Sequence, residues 1–197
     1  MRVAEVTYLV RMRTILRPAA AVVVLVAALA ATACTPAPQP PRTPAPSSTP
    51  LFASDEEALA AAEEAYAAYL AVSDQIFKDG GRDPHRLLDV ATPQVLSAQM
   101  GGYAMAASNG WVSKGETKLD TVSLQKYDPD TKEGTITIYG CVDLSSVEVI
   151  DSAGVSVVSP TRPDRSPFEV AFDRQESSSP QLLVSGEKPW TGENFCL

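Results

Sequence analysis

Apolar residues recur at steps of three and four between positions 54 and 78. Leu59, Ala62, Tyr66, Tyr69, Leu70, Ser73, Ile76 and Phe77 mark one face of a helix. Ser54-Asp-Glu-Glu57 ahead of them is a capping-box pattern, and Gly80-Gly81 supplies a stop. Asp83-Pro84 predicts a short second helix with Leu87 and Leu88 turned inward. Thr92-Pro93 starts a third, with Val95, Leu96, Met100 and Tyr103 on its face and Asn109-Gly110 at its end. Gly101-Gly102 within it predicts close packing or a break.

From Leu119 onward the chain reads as strands, the first of them rich in Val, Leu, Thr and Tyr. Leu119 to Tyr127 reads as a strand, and Asp128 to Gly134 as a polar turn. Thr135 to Asp143 alternates, with Ile136, Ile138 and Val142 on one face and Tyr139, Cys141 and Asp143 on the other. Val147–Ile150 and Val155–Val158 predict two short strands around the turn Asp151–Gly154, followed by a proline-rich loop from Pro160 to Pro167. Phe168, Val170 and Phe172 alternate in the next strand, Glu176–Pro180 turns, and Gln181–Pro189 completes the set. Helices followed by strands predict an α+β domain with an antiparallel sheet over residues 54–197.

Upstream the pattern is of another kind. Arg2, Arg11, Arg13 and Arg17 precede a run from Ala19 to Ala33 that is apolar except for Thr32, the layout of a signal peptide over residues 1–33. The run is shorter than the roughly 20 residues of a membrane-spanning helix. Translation from Met12 would give a more compact leader, and both starts stay open. The stretch Leu29-Ala-Ala-Thr-Ala-Cys34 resembles the bacterial lipobox, with Ala31 where that motif usually has leucine. The resemblance implies a diacylglycerol on the Cys34 thiol and cleavage just before it. The alternative is an ordinary secretory signal with an incidental cysteine. Thr35 to Pro50 is almost wholly Pro, Ala, Thr and Ser, a composition that predicts an extended, disordered segment reaching on the order of 50 Å, and the tether as a whole is placed at residues 34–53.

The leader changes the charge balance. The whole chain carries −8, and removing a leader of +3 leaves −11. An acidic domain has no electrostatic case for nucleic acid, and an anionic lipid surface would have to be held through the lipid. Cys141 and Cys196 then form an even pair in a compartment that permits disulfides. A structural bridge is the expectation and two free thiols the alternative.

The helix-then-strand order resembles the NTF2-like, or cystatin-like, cone fold. Gly140-Cys-Val-Asp-Leu-Ser145, the turn Asp151–Gly154, and Trp190 followed by Cys196 are similar to a group of actinobacterial secreted lipoproteins built as signal, lipobox, tether and such a domain. In that group the cysteines look paired. The resemblance implies an architecture and no reaction.

Candidate chemistry is sparse. His85 is the single histidine and reads as a solvated residue at a helix start next to Arg86, with no second feature that would draw it into a Ser-His-Asp set. No HExxH, P-loop or GxGxxG occurs. Asp128, Asp130 and Glu133 share a turn but lack the spacing of a calcium loop. No metal or cofactor is expected. Tyr66, Tyr69 and Tyr103 are the candidate ligand-pocket residues, and Asp143 alternates away from the predicted core. The expected function is a lipid-anchored, extracytoplasmic, non-catalytic binding or accessory protein of the cell envelope. Its partners would be the membrane, through the lipid, and an envelope protein, glycan or small ligand. The alternative is a small NTF2-like enzyme acting on an apolar ligand.

Overall fold

A computed structural model of the chain describes residues 50–176 and 179–196. The leader, Cys34 and the tether up to residue 49 lie outside the described residues. Among these residues no helix is long and apolar enough to cross a membrane.

Helix α1 spans Asp55–Lys78. Ser54 Oγ caps it by accepting from Glu57 N–H at 3.3 Å, and Glu57 reaches back to Ala53 N–H at 2.7 Å. Leu51 is half-buried and Phe52 is buried, so these two residues, expected in the tether, belong to the packed domain. Phe52 N–H donates to the Tyr127 hydroxyl at 2.9 Å, and that hydroxyl donates to Phe52 O at 3.2 Å. Packing therefore begins ahead of the capping box. At the other end Gly81 takes φ +75°, and a Cβ there would stand 2.0 Å from Tyr103 O. Only glycine lets the end of α1 approach the next helix so closely.

A 3₁₀ turn follows at Pro84–Asp89, and helix α2 spans Pro93–Asn109 without a break at Gly101-Gly102. Two apolar expectations fail here. Leu88 is 38 % exposed, because neighbouring residues of a three-residue turn point about 120° apart and Leu87 takes the inward position. Met100 is 36 % exposed, and Ala106 completes the buried stripe of Val95, Leu96 and Tyr103 in its place.

Six strands follow: β1 Val112–Lys114, β2 Lys118–Tyr127, β3 Ile136–Asp143, β4 Glu148–Ile150, β5 Arg165–Arg174 and β6 Leu182–Pro189. They form an antiparallel four-stranded sheet ordered β2-β3-β5-β6, and a separate pair β1-β4. At three residues, β1 is too short for a period of two to show. The strand expected at 155–158 does not form beyond a single bridge from Ser156 to Ile150. Asp151 Oδ1 accepts from Ala153 N–H and Val155 N–H, each at 2.9 Å, and draws that segment into a turn. The proline-rich loop also ends earlier than expected. Arg165, Ser166 and Pro167 already pair with β3.

One sheet face carries Ile136, Ile138, Val142, Val170, Phe172, Leu182 and Val184, and α1 and α2 cover it. The other face carries Tyr139 and Cys141. There the tail folds back, with the Trp190 ring 4.9 Å from Tyr139. Cys141 and Cys196 form a disulfide with their Cα atoms 5.6 Å apart.

Candidate functional site

Strand β6 begins with Leu182 and Val184 directed into the core. Strict alternation would send Gly186 inward and Glu187 outward. Instead Phe172 pairs with Val184 while Ala171 pairs with Gly186, leaving Ser185 as an inserted residue. One insertion reverses the two faces of all that follows. Glu187 therefore pairs with the buried Val170 and shares the helix side of the sheet.

Two tyrosines meet it there. Tyr66 and Tyr69 are three apart on α1 and point the same way. Their rings stack at 5.5 Å, and both are essentially buried. The Tyr66 hydroxyl donates a short hydrogen bond to Glu187 Oε1, and the Tyr69 hydroxyl donates to Oε2 at 2.7 Å. From α2, Gln99 Nε2 donates to the Tyr69 hydroxyl at 3.0 Å and to Glu187 Oε2 at 3.1 Å. Two helices and an edge strand thus share one carboxylate. Tyr103 is separate: its ring packs 4.8 Å from Phe77, and its hydroxyl bonds Ser73 Oγ at 2.9 Å. The structure brings two of the three candidate tyrosines together and sets the third apart. Asp143 lies at the exposed end of β3. Hydrogen bonds from Ser145 hold its carboxyl below the usual carboxylate range, helped by Arg165 and Lys118.

The sequence pattern did not single out Glu187 or Gln99. Gln99 had a signal, since it interrupts the apolar stripe of Val95, Leu96 and Tyr103 at helical spacing. For Glu187 the one hint was Gly186, a glycine inside a strand pattern, which often marks a bulge.

At its outer side the cluster borders an open cavity of about 210 Å³ between Val95, Ala98 and Gln99 of α2 and Ser185–Glu187 of β6. A larger groove, about 650 Å³, runs between α1 and β2 over Leu70, Leu119 and Val122, with Glu63, Lys78 and Lys118 on its rims. A carboxylate offers about four lone-pair sites, and Glu187 uses three of them on its neighbours. Among the described residues no group of three His, Cys, Asp or Glu side chains could hold a metal ion. His85 is exposed on the 3₁₀ turn, and Asp128 pairs with Lys126 at 3.8 Å.

Burial pushes the Tyr66 and Tyr69 hydroxyls well above the usual tyrosine range, and the Glu187 charge adds to it. Both therefore keep their protons in the folded state past about pH 10, where an unfolded tyrosine loses its own. Their contribution to stability is complete below that pH and is lost as pH rises through it. Two such groups remove about 2 kcal/mol between pH 10 and 11. Urea unfolding across that range should show the loss, and the Tyr66→Phe, Tyr69→Phe double variant should flatten it. A wild-type chain whose stability holds steady there would contradict the burial.

No protein-family model matches the sequence, and no curated protein matches it. A solution NMR structure of a de novo designed beta-sheet protein is similar over 68% of this chain and 88% of its own, at 16% identity and a TM-score of 0.30. That likeness is too distant to argue from. The chain stands as an α+β domain, helices packed on an antiparallel four-stranded sheet, without a family assignment.

Proposed function

We propose that this is a lipid-anchored, extracytoplasmic binding or accessory protein of the cell envelope, with an NTF2-like cone domain and no catalysis of its own. One observation carries the domain's part. The polar groups that could do acid–base work are committed to one another: Glu187 to Tyr66, Tyr69 and Gln99, and Tyr103 to Ser73. Such a cluster ties elements together and leaves little capacity to take a proton from a substrate. The anchor rests on Leu29–Cys34 and the tether on the composition that follows. Trp190 and Phe195, each 37 % exposed on the tail, offer aromatic surface for a partner. The cone reading is supported by the helix-then-sheet order and by insertions in both edge strands, which increase local twist.

Expression in a host with the bacterial lipoprotein pathway tests the reading. Mass spectrometry of the membrane fraction should find a mature chain beginning at acylated Cys34, and Cys34→Ala should release or stall the protein. Cross-linking in intact cells should then capture one envelope partner reproducibly, and Trp190→Ala should weaken the capture. A mature N-terminus elsewhere with an unmodified Cys34 would end the anchoring. The enzyme reading keeps one favourable observation, a carboxylate beside two tyrosine hydroxyls at the edge of a cavity. Turnover of an apolar ligand that is abolished by Glu187→Gln in a still-folded protein would favour it.

A further inference from the structure

The Glu187 carboxylate has no cationic partner in the fold. Its three hydrogen bonds come from the Tyr66 and Tyr69 hydroxyls and the Gln99 side-chain amide, all neutral donors. Among the described residues no lysine or arginine lies within ion-pair distance of it. Lys188, next in the strand, points to the opposite face and stands 3.9 Å from Glu169. Of the carboxylate's roughly four lone-pair sites one is therefore unused. A charged donor there would form a stronger bond than the neutral ones already present.

Both tyrosines are sealed in the core, whereas Glu187 is half-buried. The insertion at Ser185 puts the Glu187 side chain on the helix side of β6, and the cavity of about 210 Å³ between β6 and α2 opens on that same side. Val95 and Ala98 give the cavity apolar walls, and Glu187, Gln99 and Ser185 bring oxygen acceptors to it. Gln99 turns its NH₂ toward Tyr69 and Glu187, which leaves the carbonyl oxygen of the same amide to accept. Cavities for drug-sized ligands run to about 300–1,000 Å³, so this one admits only a small ligand. The acceptor set also selects among cations. A guanidinium grips a carboxylate through two parallel bonds and needs two open positions on it. A quaternary ammonium needs aromatic faces, and the Tyr66 and Tyr69 rings are buried against each other. A primary ammonium is a compact charge with three separate donors, which matches one open carboxylate position and two neutral acceptors.

We infer that the cavity between α2 and β6 binds a small primary alkylammonium ion, with its charge on Glu187 and its alkyl stem against Val95 and Ala98. The site goes beyond the anchored accessory reading. It rests on neither Cys34 nor Trp190, and it asks no proton transfer of Glu187.

NMR titration of the full chain at constant ionic strength tests the site. The probe is n-butylammonium, with guanidinium and tetramethylammonium as controls at the same concentrations. The Gln99 side-chain amide and the Gly186 and Glu187 backbone amides should shift saturably with n-butylammonium. The chain carries −8 overall, so every cation gathers near it, and the two controls measure that diffuse part. Glu187→Gln removes the charge and keeps the shape, and should weaken binding about tenfold, as expected for one lost bond between charged groups. Ala98→Leu fills the cavity from an exposed helix position and alters no member of the cluster. It should abolish the saturable shift at an unchanged thermal midpoint, and it decides the test if Glu187→Gln does not fold. Shifts that stay linear, that either control matches, or that a folded variant leaves unchanged would overturn the site. Acylation of Cys34 and partner capture through Trp190 are measured separately, so the site and the anchored reading fail independently.

Discussion

Glu187→Ala is expected to destabilise the domain by about 2–4 kcal/mol. The variant leaves the buried Tyr66 hydroxyl without its acceptor, and Tyr69 keeps only the bond it accepts from Gln99. Each stranded buried hydroxyl costs about 1–3 kcal/mol, and water entering from the neighbouring cavity recovers part of it. Glu187→Gln keeps the shape and one acceptor and should cost less. The decisive comparison is the triple variant Tyr66→Phe, Tyr69→Phe, Glu187→Leu. Removing every member together strands nothing, so it should be more stable than Glu187→Ala although it deletes more bonds. Urea unfolding of the three proteins measures the order. A Glu187→Ala protein within about 0.5 kcal/mol of wild type would mean the hydroxyls hydrate freely and the cluster does not hold the fold.

That carboxylate also marks where the sequence stops being legible. Helices α1 and α2 show in the chain because amphipathic faces leave a period, and caps and glycines mark their ends. Of the four main strands, β3 and β5 show because they alternate, and β2 and β6 through strand-forming composition and the turns that bound them. What alternation cannot deliver is the residue after an insertion. Ser185 reverses the strand, so a glutamate that reads as solvent-facing ends on the core side, bound to tyrosines more than a hundred residues earlier. Strand β2 carries two further irregularities, between Asp120 and Ser123 and between Leu124 and Lys126. Thr121 takes φ +51° at the first of them, and nothing local in Asp-Thr-Val announces it. Of the short pair β1-β4, β4 falls within the strand expected at Val147–Ile150, whereas β1 and the pairing do not show: three residues cannot display a period, and the loops that bring the two strands together settle their pairing. The cysteine pair was legible by count and compartment alone, with no geometry required.

Cys141→Ser is expected to cost 2–5 kcal/mol and to free the tail while leaving both helices in place. The bridge spans a sequence separation of 55, for which the chain-entropy estimate is about 4 kcal/mol. The loss should be local in the folded state because Cys141 faces away from α1 and α2. What the bridge holds is the segment after β6, where Trp190 packs on Tyr139 at 4.9 Å and Phe195 meets Trp190 at 6.4 Å. Arg165 adds a second tie: its Nη1 donates to Cys196 O at 2.6 Å, while Nη2 binds the Asp120 carboxylate. Reduction should therefore loosen the tail in steps, with Arg165→Ala making the reduced form looser still. In a Trp111→Phe background, Trp190 emission should move to the red on reduction, and far-ultraviolet dichroism should change little. In a Cys34→Ala background the oxidised protein should titrate no free thiol. Two free thiols there, or unmoved Trp190 emission on reduction, would separate the bridge from the tail. The aromatic surface proposed for a partner would then have to be held by Tyr139 and Arg165 alone.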